Sequence, residues 1–183
     1  NNLGLVYLNL NEIETSIKYF EKAISLKKNY VLAYTNLGMA YVSLKKVSEA
    51  KESYLKAIEV DPKNLLANYN LANLLKRLGD HENSETYYKK AIEINPNYLP
   101  SYNNVMDLYD KSNQNKKLNN LINTAEKIFK NDQVIKSFKA KLLYKQKNYK
   151  EVVSLLENLE FLPGQIVQKQ ASYEVLAKSY DKV

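Results

Sequence analysis

The sequence contains no cysteine and one histidine, His81. The first absence excludes disulfides and thiolate metal sites and leaves the cellular compartment open. The second removes paired-histidine metal motifs and leaves little for acid–base chemistry near neutral pH. Glycine and proline number four each, as expected of a helical chain, because both are costly in helix interiors. No apolar run approaches the roughly 20 residues of a membrane span. Glycine-rich phosphate loops, nucleophile elbows and metal-ligand clusters are also missing. The sequence therefore carries no catalytic constellation and calls for no cofactor or metal. His81 follows Gly79-Asp80 and reads as a solvated turn residue.

What is present is a period. Asn2-Leu3-Gly4 returns at equal steps along the chain, as Asn36-Leu37-Gly38, as Asn70-Leu71-Ala72 and, altered, as Asn104-Val105-Met106. Around Gly38, apolar or aromatic residues at Tyr34, Leu37 and Tyr41 define one helix face. A polar break from Ser43 to Ser48 follows. A second helix is expected through Ala50, Tyr54, Ala57 and Ile58, stopping at Asp61-Pro62, where proline cannot continue it. The step from Asn36 to Asn70, applied to the whole unit, reproduces it. The array divides at 1–30 (partial), 31–64, 65–98, 99–132, 133–164 and 165–183 (partial). Phe161-Leu162-Pro163-Gly164 breaks the period before a last helix with Tyr173, Leu176, Ala177 and Tyr180. A fixed period of this length marks a stacked-repeat protein.

Leu37, Gly38, Tyr41 and Val42, then Ala50, Tyr54, Ala57 and Pro62, resemble the tetratricopeptide repeat. The match spans nearly the whole chain; it is close in units one to three and degenerate in four and five. Met106 stands where a small residue is preferred and Lys139 where leucine is, so looser or shifted packing is expected there. The resemblance implies an all-α solenoid of stacked helix–turn–helix units, a right-handed superhelix whose first helices line a concave face. Its function would be protein–protein interaction rather than catalysis. Both ends fall inside a repeat, so a longer parent protein is expected.

Residues three and seven apart share a helix face, which groups the inner side chains of successive first helices. The groups are Asn2, Leu5 and Asn9; Asn36, Met39 and Ser43; Asn70, Asn73 and Arg77; Asn104, Asp107 and Lys111; Phe138, Lys141 and Lys145; and Val175, Lys178 and Lys182. Asparagine is a mediocre helix former, yet it recurs at one position in four units. An amide offers both a donor and an acceptor, which suits a peptide main chain. This ladder resembles the inner asparagines of the repeat domain of O-linked N-acetylglucosamine transferase, which hold an extended protein substrate. Packed helices sit about 8–10 Å apart and an extended chain advances about 3.3 Å per residue. Four rungs would thus engage about ten residues. The candidate peptide-binding set is Asn36, Asn70, Asn104, Asn73, Arg77, Asp107, Lys141 and Lys145. The competing reading is structural: each asparagine faces water or bonds a neighbouring helix.

Between Lys111 and Lys150 there are eleven lysines against two acids, Glu126 and Asp132. Either this is a solvated lysine face or it attracts acidic peptide or phosphate. Nucleic acid is disfavoured, because the stretch has no arginine. A clamp for the carboxylate of a chain terminus, as known in this family, is also disfavoured. Leu32, Leu66, Pro100 and Val134 occupy the site of its lysine. Two further expectations remain open: a substrate-recruiting arm of a larger glycosyltransferase or sulfotransferase, and a scaffold that self-associates through uncapped ends.

Overall fold

The computed structural model describes residues 1–157 and 166–182, with side chains described through 157 and from 172 to 182. The expected break at Phe161-Leu162-Pro163-Gly164 lies outside them. Among the described residues there are eleven α-helices and no strand. They are α1 (Asn2–Asn9), α2 (Ile13–Leu26), α3 (Val31–Ser43), α4 (Val47–Val60), α5 (Leu65–Arg77), α6 (His81–Ile94), α7 (Leu99–Lys111), α8 (Asn115–Ile128), α9 (Gln133–Lys145), α10 (Tyr149–Leu156) and α11 (Ile166–Tyr180). None of these is long and apolar enough to cross a membrane. The chain forms two compact units, residues 1–101 and 102–183.

The turn inside each hairpin is set by backbone chemistry. Asn11, Lys45, Gly79, Asn113 and Lys147, each one repeat on from the last, all adopt positive φ, between 53° and 80°. The residue after each donates its N–H five positions back, to Tyr7, Tyr41, Leu75, Tyr109 and Leu143, at 2.9–3.0 Å. The left-handed residue itself donates three positions back at 3.0–3.2 Å. This pair of bonds is the Schellman motif, which satisfies carbonyls that the helix end would otherwise leave bare. Glycine fills the left-handed position once; asparagine and lysine, the latter at a steric cost, fill the rest. One reading shifts slightly. His81 is the exposed first residue of α6, whose start is capped by the Asp80 carboxylate accepting from the Asn83 N–H.

The first unit contains three hairpins, α1–α2, α3–α4 and α5–α6, with α2 against α3 and α4 against α5. In the first two hairpins the glycine of the first helix fits under a ring of the second. A Cβ on Gly4 would come within 2.5 Å of Phe20 Cε1, and one on Gly38 within 2.5 Å of Tyr54 Cε1. Phe20, Leu37, Ile13 and Ile17 form one buried cluster, and Tyr54, Leu71, Leu74 and Leu75 the next.

In the second unit, α11 packs on both α9 and α10, with Val175 and Leu176 against Ala140, Val152 and Leu156. Looser or shifted packing is expected at Met106, and the side chain is nonetheless not left open. Met106 is completely buried, and so is Ile122, which stands where the earlier repeats have Phe20, Tyr54 and Tyr88. The smaller Ile122 offsets part of the volume that methionine adds over glycine, and both side chains are fully covered. At Lys139 the expected leucine contact is replaced by an ion pair, Nζ donating to both Glu126 carboxylate oxygens at 2.9 Å.

Gly38→Ala is expected to destabilise the protein by about 1–3 kcal/mol, although alanine is the better helix former. Lys45→Gly removes the left-handed penalty and is expected to stabilise by up to about 1 kcal/mol. Chemical denaturation of the two variants tests both signs.

Candidate functional site

In the first unit, α3 carries Asn36, Met39 and Ser43 and α5 carries Asn70, Asn73 and Arg77. The two helices touch. A pocket of about 330 Å³ opens there, lined by Met39, Val42, Ser43, Tyr54, Asn70, Asn73, Leu74 and Arg77. Five of the six stripe residues are therefore brought together. Asn36 is not among the lining residues. It is half-buried, and its Nδ2 donates to Asn1 Oδ1 at 2.9 Å.

Periodicity did not single out the tyrosines as site residues, since at helical spacing they read as core. The structure separates two of them. Tyr88, fully buried, donates its hydroxyl to Asn73 Oδ1 at 2.5 Å. That bond occupies the Asn73 oxygen and leaves its N–H donors without a partner among the described residues. One repeat back along the chain, Tyr88 maps onto Tyr54 and Asn73 onto Met39. Methionine is at best a weak acceptor. Tyr54 is 2% exposed, lines the pocket, and has no hydrogen-bond partner among the described residues. Burial pushes its phenol well above the usual range, so the hydroxyl stays a neutral donor at physiological pH. Asn70 and Arg77 likewise make no hydrogen bond or ion pair with described residues.

The second unit treats its candidates differently. Asp107 pairs with Lys111 at 3.0 Å. Lys145 Nζ donates to Asp110 Oδ1 at 2.7 Å, to the Asp110 carbonyl at 3.3 Å and to Asn113 Oδ1 at 3.3 Å. Lys141 lies over the Phe138 ring, 5.6 Å from its centroid. Asn104 is half-buried and already engaged by other groups. The lysine excess between 111 and 150 is therefore partly answered. Asp107 and Asp110 lie just upstream of that window in sequence, and Lys145 meets Asp110 across 35 residues. No group of three or more His, Asp or Glu side chains is disposed to hold a metal among the described residues.

A repeated hairpin with a small residue seated under a ring, an all-helical stack and a pocket between successive first helices define an α-solenoid. Two models, each described as a tetratricopeptide repeat, match the sequence: one over residues 1–30 and 65–98, the other over 31–64. Together they span residues 1–98, more than half of the 183. The chain belongs to the tetratricopeptide repeat family. A search of curated proteins finds no match. Solved structures share the fold. A tetratricopeptide repeat protein from Parabacteroides merdae superimposes with a TM-score of 0.79 at 18% identity, over 99% of this chain and 71% of that one. MamA gives 0.70 at 15% identity, over 98% and 93% of the two chains. YrrB, described as a tetratricopeptide repeat protein with an unusual peptide-binding site, gives 0.70 at 17% identity over 100% and 90%.

The two tyrosines should respond differently to loss of the hydroxyl. Tyr88→Phe leaves Asn73 without its partner and is expected to cost about 0.5–1.5 kcal/mol. Tyr54→Phe removes a hydroxyl that bonds nothing among the described residues and is expected to leave stability within about 0.5 kcal/mol of wild type. Paired urea melts measure the difference.

Proposed function

We propose that this protein is a non-enzymatic interaction module that binds an extended peptide segment along its first helices. Asn36 and Asn70 hold the peptide main chain in the first unit, and Asn104 offers an amide for the same purpose in the second. Asn73 and Arg77 tune side-chain preference in the first unit; Asp107, Lys141 and Lys145 do so in the second. The observation that carries the reading is the pocket where α3 meets α5. Its donors come from the residues that the inner-face spacing groups, and Asn70 in it is unoccupied by any described protein group. Family membership supports a protein or peptide partner, and the peptide-binding site of YrrB shows that this fold accommodates one.

The rungs are not equal. Asn36 must release Asn1 before it can bond a ligand, whereas Asn70 exchanges only water, so Asn70 contributes the most. The acidic preference rests on Arg77 in this reading, because the Lys145 charge is already matched by Asp110.

Peptide-array binding of wild type and of the Asn36→Ala, Asn70→Ala, Asn104→Ala triple variant tests the ladder. The expected result is a general loss of binding of about tenfold or more across unrelated sequences, as each lost main-chain bond costs on the order of 1 kcal/mol. An unaltered array would remove the ladder.

A further inference from the structure

Arg77 is the sole arginine of the chain; the other 26 of its 27 basic residues are lysines. It lines the pocket between α3 and α5, and its guanidinium is paired with no described residue. The groups around it share one property. Tyr54 presents an unanswered hydroxyl from a side chain that is otherwise completely buried. Asn70 has no described partner, and Asn73, its oxygen held by Tyr88, has N–H donors without a partner among the described residues. No aspartate or glutamate lines the pocket. A set of donors around one guanidinium, without an acid to neutralise it, is built for an anion.

Resting on the peptide-binding reading, we infer that this pocket is a subsite for the carboxylate of an aspartate or glutamate within the bound peptide. Arg77 offers the two-pronged contact that a planar carboxylate accepts. Tyr54 donates from the floor, and Asn70 and Asn73 donate from one wall. Met39, Val42 and Leu74 supply apolar surface for the methylenes that carry the acid. The charge count favours a carboxylate over a phosphate: one guanidinium neutralises a single negative charge, and a phosphate dianion would leave one unmatched in a half-closed pocket.

The contrast between Tyr54 and Tyr88 is the independent support. Buried tyrosine hydroxyls normally find a partner. Tyr88 has one inside its own hairpin. In the preceding repeat Met39 takes the acceptor's place and the hydroxyl is left facing the pocket. Open to the pocket and without a described protein partner, that hydroxyl is able to donate to a carboxylate oxygen.

The probe is an array of twelve-residue peptides, each made once capped at both ends and once with a free C-terminal carboxylate, followed by fluorescence anisotropy with the tightest capped binder and its Glu→Gln or Asp→Asn analogue. The expected result is that binders carry an acid at a fixed position and that neutralising it lowers affinity about ten- to a hundredfold. Arg77→Gln should cause the same loss and abolish the difference between the two peptides. Arg77→Lys should restore part of it. Tyr54→Phe should weaken the acidic peptide several-fold while the melting curve is unchanged, a combination that a purely structural role for Tyr54 would not produce. Binders indifferent to their acid, or to Arg77→Gln, would overturn the subsite and leave peptide binding standing. Binding only by peptides with a free C-terminal carboxylate would assign the pocket to a chain terminus and overturn the side-chain reading. An array without any binder would overturn both.

Discussion

The distance of closest approach between the two helices of a hairpin governs this protein. With hydrogen at the Cα of Gly38, the Tyr54 ring lies against the backbone of α3. The ring is then completely covered, and its far end emerges on the face where the next repeat's first helix arrives. Dispersion contacts fall off steeply with separation, so an added methyl group would disturb the hairpin and, through the ring, the lining of the pocket. Packing and site are the same set of atoms seen from two sides.

The repeats hold this relation by exchange rather than by strict identity. Glycine stands opposite Phe20 and Tyr54, alanine opposite Tyr88 in register, and methionine where the ring gives way to Ile122. The Met106 and Ile122 pair carries more side-chain volume than glycine and tyrosine do, and both members are still fully buried. Lys139 follows another rule, keeping its place by pairing with Glu126 rather than by apolar contact.

The helical frame was legible from the sequence because it depends on period and breakers. Tyr34, Leu37 and Tyr41 fix a face, and Asp61-Pro62 fixes an end; α3 and α4 have those bounds. The grouping of Met39, Ser43, Asn70, Asn73 and Arg77 was legible for the same reason, since three- and seven-residue steps on neighbouring helices bring those side chains to one place. What escaped depends on contacts that spacing does not encode. The left-handed turns are occupied by Lys45 and Lys147 as well as by Gly79, so composition gives no warning of them. The bond from Asn36 to Asn1 and the pairing of Lys145 with Asp110 join residues 35 apart, one step off the repeat, and a search in register passes over them. The unanswered hydroxyl of Tyr54 was hidden because a core tyrosine and a pocket tyrosine have the same place in the period.

That last point bears on how such an array diversifies. Position 39 and its counterpart at 73 act as a selector: asparagine there ties the inner tyrosine to its own hairpin, and methionine releases it. The frame is indifferent to the choice, because the ring is buried in both cases. One codon thus decides which step of the array leaves a tyrosine hydroxyl open to the pocket. A lineage can relocate or multiply such open hydroxyls along the array without rebuilding it.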